Sequence, residues 1–329
     1  MSGGLVRNLS NLGAAGSQDT WSAFPAIQDV DFAEFRGTNA ADPTELQDLV
    51  TLAAVRKEIL DLSDVFGLWD IGNATFVQSF FVSPQSTDPH SLFFKPDGKK
   101  MYVGEGPVLV GQGNAVLEYD LSTPWDISTA SHNQTFDAGP FNVTALALFF
   151  RSDGKKMYLT GFTSGTREIR EYDLSTPWDV STASLVREKD LTSGTGETEY
   201  QGFFFRPDGK KLYGVGLVND KVYEFDLSIA WNVDFAVFLQ DFSLGYTPRD
   251  LFMREDGKML HVIELDNDKV HQYILSTPWD ISTASFVKDF SVAAQDANPD
   301  GLFIGKSGSK MYHVGGPGST GTVYEYDLI

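Results

Sequence analysis

Seven polar residues stand where a small-molecule site could assemble: Asp88, His90, Glu199, Gln201, Arg249, Asp250 and Asp300. Each comes a few residues before an apolar triplet: Leu92-Phe93-Phe94, Phe203-Phe204-Phe205, Leu251-Phe252-Met253 or Leu302-Phe303-Ile304. Gathered in one place they would offer carboxylate acceptors, an imidazole, an amide and a guanidinium, a set suited to holding a sugar or a peptide. Asp88, Glu199, Asp250 and Asp300 are also the residue type that glycoside hydrolysis uses in pairs, one as acid and one as base or nucleophile. Their separations cannot be read from the chain. The plainer alternative is a water-filled channel whose polar lining serves no ligand. Other chemistry is not signalled: the sequence has no glycine-rich phosphate loop, no His-x-Glu cluster and no nucleophile elbow. Asp266-Asn267-Asp268 is too short for a calcium loop and reads as a turn. No catalytic residue, metal ligand or cofactor is assigned on this basis.

A repeat must position these residues. The stretch Asp120–Ser131, DLSTPWDISTAS, returns at Asp173–Ser184 and Leu275–Ser285, and in eroded form at Asp226–Ala236. Between copies, an apolar triplet precedes Asp97-Gly98, Asp153-Gly154, Asp208-Gly209, Asp256-Gly257 or Ser307-Gly308. Asp-Gly between apolar runs signals a hairpin, because glycine supplies the positive φ. A second strand opens at Met101-Tyr102 and its counterparts, and a third carries Leu117-Glu118-Tyr119 and its counterparts. The motif then turns the chain into a fourth strand. Five such units, with their phenylalanines 48 to 56 residues apart, predict an all-β fold: a five-bladed β-propeller of four-stranded antiparallel blades.

The last unit stops at Ile329, before its fourth strand, whereas Trp69–Phe80 copies Trp279–Phe290. The N-terminal copy is therefore expected to supply the missing outer strand and close the ring, leaving no apolar sheet face open. Phe93, Phe149, Phe204, Phe252 and Phe303 fall at one depth and read as a core layer, not as a ligand box. Trp69, Trp125, Trp178, Trp231 and Trp279 sit in identical frames, which points to an outer turn of the scaffold. The seven polar residues then lie at the starts of the innermost strands, around the mouth of the central channel on the opposite face. The second blade has only Thr144 and Leu146 there. Loops 104–114, 161–167, 219–221, 266–269 and 315–322 should surround them, and binding commonly resides on loops carried by a rigid scaffold.

Residues 1–67 precede the propeller at 68–329. The first 42 read as an extended arm. Asp42-Pro43-Thr44-Glu45 then opens a helix to about Ser63, with Leu52, Val55, Ile59, Leu62 and Phe66 in heptad spacing. This segment is expected to anchor the chain to other subunits and to support a homo-oligomer; with only two heptads, the alternative is a single helix packed on its own domain. The formal charge of −20 argues against nucleic acid and anionic membranes as partners. Without cysteine, neither a disulfide nor a thiolate metal site can form. No signal peptide or membrane span is expected from the sequence.

Repeats that pair Pro-Asp-Gly-Lys-Lys-Met/Leu-Tyr with Tyr-Asp-Leu-Ser-Thr-Pro-Trp-Asp-Ile-Ser-Thr-Ala-Ser resemble the propeller repeats of uncharacterised proteins of marine bacteria and their tailed phages. The resemblance covers about Trp69 to Ile329. It implies a virion structural protein, in a tail, fibre or capsid decoration, made in the host cytoplasm and located in the virion. The propeller would then be displayed for adhesion, with a host-surface glycan as a candidate partner. Five blades are also a feature of the tachylectin type of sugar-binding propeller, whose motifs are absent here. The alternatives are a stand-alone lectin-like module and, third, a polysaccharide-active glycosidase or lyase.

Overall fold

A computed structural model describes residues 68–329, apart from 83–85, 87, 107–113, 139–144, 164–165 and 317–320. The expected arm, helix and heptad seam within 1–67 lie outside the described residues, as does Thr144.

Each blade begins with an apolar run that can be buried on both faces. The first contains β2 (Pro89–Phe94), β3 (Lys100–Glu105), β4 (Ala115–Leu121) and β5 (Ala130–Asp137). The second contains β6 (Leu148–Phe150), β7 (Lys156–Thr163), β8 (Thr166–Leu174) and β9 (Ala183–Asp190). In the third are β10 (Tyr200–Phe205), β11 (Lys211–Gly216), β12 (Lys221–Leu227) and β13 (Ala236–Ser243). The fourth has β14 (Pro248–Met253), β15 (Met259–Glu264), β16 (Lys269–Leu275) and β17 (Ala284–Ser291). The fifth takes β18 (Pro299–Gly305), β19 (Lys310–Gly315) and β20 (Thr322–Asp327) from the C-terminal end, and its outer strand is β1 (Thr75–Phe81). β1 runs antiparallel to β20 from Thr75 opposite Asp327 to Phe81 opposite Thr322. The expected closure, and with it the five-bladed propeller, is the observed fold.

One face is built from turns that repeat. Gly98 takes φ +70, and the Trp125 N–H donates to its carbonyl at 3.0 Å. The same bond joins Trp178 to Gly154, Trp231 to Gly209, Trp279 to Gly257 and Trp69 to Gly308. All five tryptophans themselves hold positive φ, between 64 and 70. A bulky residue keeps that conformation only where its surroundings over-determine it. Here the indole covers the glycine and reaches inward: Trp125 stacks on Phe94 at 5.7 Å and on Phe303 of the preceding blade at 6.4 Å. The tryptophan is thus a scaffold residue, as its repetition implies. It bridges neighbouring blades over the core, however, and does not merely fill an outer turn.

The five phenylalanines close a ring. Successive centroids, Phe93–Phe149–Phe204–Phe252–Phe303–Phe93, lie 5.2 to 5.5 Å apart in edge-to-face order. Such pairs contribute roughly 0.5–1.5 kcal/mol each beyond the area they bury.

Blades are also clasped electrostatically. Glu118, Glu171, Glu224 and Glu325, on the third strands, are at most 1% exposed. Each pairs with a lysine of its own second strand: Lys100, Lys156, Lys211 and Lys310. Each also accepts a backbone N–H from the next blade: Val180 at 3.2 Å, and Val233, Ile281 and Ile127 at 3.3 Å. The fourth blade replaces the whole unit. Gln272 accepts from Ile71 at 3.3 Å and faces Met259 where the others have lysine.

Candidate functional site

The non-repeating residues gather at the opposite ends of the innermost strands. Four of those strands carry a β-bulge there, where pairing slips between Pro89 and Ser91, Tyr200 and Gly202, Pro248 and Asp250, and Pro299 and Leu302. The residues taken out of register are His90, Gln201, Arg249 and the pair Asp300-Gly301. Each of the first three, and Asp300, stands three places before its ring phenylalanine, about 10 Å along the strand. A bulge re-aims a side chain and bends the strand locally. The second blade differs: β6 is short and pairs without a bulge, and Leu146 stands buried at the equivalent place.

One residue further in, the inner strands converge. A Cβ on Gly301 would lie 2.7 Å from the Ser91 backbone, and one on Gly202 would lie 2.8 Å from the Asp250 backbone. Ser91, Ala147, Gly202 and Gly301 are therefore small because the backbones of adjacent blades nearly touch. Asp250 is the exception at this level, and it acts as a strap. Its Oδ1 accepts from Leu251 N and its Oδ2 from Leu302 N of the fifth blade, both at 2.8 Å. Burial pushes the Asp250 carboxyl well above the usual carboxylate range, and the Asp300 charge adds to this; the two N–H groups act in the opposite direction.

Asp88, His90 and Asp300 form one unit. His90 Nδ1 lies 2.6 Å from Asp300 Oδ2, and Nε2 lies 3.5 Å from Asp88 Oδ2. Burial favours the neutral ring, but the carboxylates of Asp300 and Asp88 outweigh it and raise His90 to about 9. The imidazolium is therefore charged at neutral pH, and both carboxylates are engaged with it. Gln201 is buried, and Arg249 is half-buried with an Nε that has no partner. Glu199 lies just before Gln201, outside β10. The structure thus joins Asp88, His90 and Asp300 directly, links Asp250 to the fifth blade through Leu302, and sets Gln201 and Arg249 at the matching places of the third and fourth blades.

The expected loop at 161–167 is largely strand: Gly161 pairs with Glu168, Phe162 with Arg167 and Thr163 with Thr166. Phe162, Thr163 and Thr166 suit a pleated strand, which overrides the loop signal of Gly161. Two further features were not anticipated. The buried third-strand glutamates could have been noticed, since an acid recurs inside otherwise apolar runs. A cluster of Tyr246, His271 and Glu264, with Tyr246 stacked on His271 at 4.2 Å, has no repeating signal. Clefts of about 510 and 340 Å³ open beside Arg151, Lys156 and Asp173, and beside Arg206, Lys211 and Asp226. They are lined by repeated residues and belong to the scaffold. Among the described residues, no group of three or more His, Asp or Glu could hold a metal ion, and no helix is long and apolar enough to cross a membrane.

The sequence matches no protein-family model and no curated protein. Among solved structures, a functionally unknown protein from Desulfotomaculum acetoxidans is 12% identical with a TM-score of 0.42, covering 73% of this chain and 71% of its own. The β-propeller domain of Cps50 (Swd1) from Myceliophteria thermophila is 8% identical with a TM-score of 0.45, covering 78% and 100%. The periplasmic gluconolactonase PpgL of Pseudomonas aeruginosa is 15% identical with a TM-score of 0.42, covering 71% and 68%. Likenesses this distant carry no argument about function, and the five blades stand on their own strand pairing.

Proposed function

We propose that this chain is a recognition module without catalytic activity, which binds a polar ligand, a glycan in the first instance, at the channel mouth. The observation that carries this reading is the fate of the carboxylates. An inverting or retaining glycosidase needs two carboxyl groups facing the scissile bond. Here Asp88 and Asp300 are both engaged by His90, and Asp250 is bonded to two backbone N–H groups. What the mouth offers is a rigid, asymmetric rim of imidazolium, amide, guanidinium and carboxylate on a five-fold scaffold, which is a set of binding groups. Simultaneous substitution of Asp88, Glu199 and Arg249 by alanine should abolish binding on a glycan array. Binding that survives the triple substitution would reject this site, and glycan turnover lost on a single Asp or Glu replacement would reject the non-catalytic reading. The wider setting we propose is a virion surface, with residues 1–67 as the anchor to other subunits. It rests on the repeat resemblance. Cryo-electron microscopy of particles tests it, and a monodisperse monomer absent from every particle would overturn it.

A further inference from the structure

We infer that the mouth takes a carboxylate-bearing saccharide, a sugar of the uronic-acid class, whose carboxylate sits on the Arg249 guanidinium. This rests on the recognition reading above and specifies its ligand. Among the described residues Arg249 makes no ion pair and no side-chain hydrogen bond, and its Nε is buried without a partner. Five other arginines are engaged. Arg151, Arg206 and Arg254 each pair with the aspartate two residues on. Arg170 pairs with Glu188, and Arg187 with Glu171 and Asp234.

A chain with 45 acidic against 25 basic residues has no shortage of carboxylates, so the missing partner is informative. The candidates closest in register are committed elsewhere. Asp250, the next residue, is turned onto Leu251 N and Leu302 N, and Asp300 at the matching place of the fifth blade is held by His90. A partly buried guanidinium left unpaired is unfavourable, and a ligand carboxylate completes it with two parallel N–H···O bonds. The Gln201 amide, at the matching place of the third blade, supplies a donor and an acceptor for hydroxyls. The free lone pairs of Asp88 and Asp300 accept further hydroxyl protons. Those same carboxylates, together with the net charge of −20, penalise each additional negative charge, which selects a monoanionic carboxylate over a doubly charged phosphate ester. From a singly charged sulfate ester it is distinguished by its planar pair of oxygens, which matches the guanidinium fork.

The test is calorimetric titration of the full chain with a trisaccharide carrying one galacturonate residue between galactose residues, with the neutral galactose trisaccharide and with one carrying a single sulfate ester. Arg249→Gln and Arg249→Lys are run alongside, and each protein is checked by thermal unfolding. The wild type should prefer the singly acidic trisaccharide over the neutral sugar by at least about thirtyfold, the low end of the scale for removing one partner from a buried charge pair. Arg249→Gln should erase that preference and Arg249→Lys should keep part of it, with unfolding unchanged. Equal binding of acidic and neutral sugars, a preference for the sulfated sugar, or an acidic preference that survives Arg249→Gln would overturn the carboxylate assignment and leave the recognition reading standing. If no sugar in this set or on a broad glycan array binds, the recognition reading falls with it.

Discussion

The two ends of each innermost strand follow different rules. At the end that runs into the turn, the same tryptophan covers the same glycine and stacks over the ring phenylalanine of the preceding blade in all five blades. At the other end the five equivalent places hold His90, Leu146, Gln201, Arg249 and Asp300. Where every blade must present an identical surface to its neighbour, sequence is constrained to repeat. Where strands only border an opening, the constraint lifts and chemistry can differ. The bulges mark the change, because they occur at the mouth of four blades and free one residue from the ladder in three of them and two in the fifth blade.

The clasp gives the largest handle on this contrast. Glu171→Ala strands Lys156 and Arg187 beside a buried vacancy and removes the acceptor of Val233 N. Urea unfolding should show a loss of about 3–5 kcal/mol, as for breaking a buried ion pair. The fourth blade predicts the remedy. Lys211→Met with Glu224→Gln copies its Met259 and Gln272, and should cost no more than about 1.5 kcal/mol, since exchanging a buried pair as a unit is far less harmful than breaking it. A double variant as damaged as Glu171→Ala would show that the clasp works through charge and not through filling and bridging.

Turn glycines sharpen the same distinction at a smaller scale. Gly154 combines φ +70 with Trp178 ring atoms 2.4 Å from where a Cβ would sit, whereas Gly245 has φ +80 and nothing within 4 Å. Thermal unfolding should therefore show Gly154→Ala losing about 2–3 kcal/mol and Gly245→Ala about 1 kcal/mol, the difference being the packing of the indole.

At the mouth the expected signature is pH dependence. His90 is raised to about 9, so its stabilising contribution is complete below the ordinary histidine value near 6.5 and disappears as pH rises through about 9. His90→Gln should remove that alkaline limb. His313 and His261 behave oppositely. Burial lowers them to about 3 and about 4, so their contribution is present above 6.5 and is lost as pH falls below it. Measuring unfolding free energy from pH 4 to 10 separates the two. An alkaline limb that persists in His90→Gln would mean that the Asp88–His90–Asp300 unit is not its source.

How much of this was legible follows from the same logic. The blade number, the closure by Trp69–Phe80 and the phenylalanine layer could all be read, because each is a pattern repeated five times and repetition averages out local ambiguity. The places of His90, Gln201, Arg249 and Asp300 could be read relative to their phenylalanines. Their partners could not. That Asp300 meets His90, or that Asp250 reaches Leu302 N, depends on two strands from different blades converging, and the small residues at Ser91, Gly202 and Gly301 were the only trace of that convergence. The inward reach of the tryptophans was hidden because it requires a positive φ at a bulky residue, which no local propensity favours.

The central claim is that recognition belongs to the end that does not repeat. Hydrogen–deuterium exchange on the full chain, with and without a bound saccharide, tests it most directly. The account predicts new protection confined to the strand starts around His90, Gln201, Arg249 and Asp300, with none at the turns of Trp125, Trp178, Trp231 and Trp279. Protection centred on those tryptophan turns, with the strand starts unchanged, would contradict it.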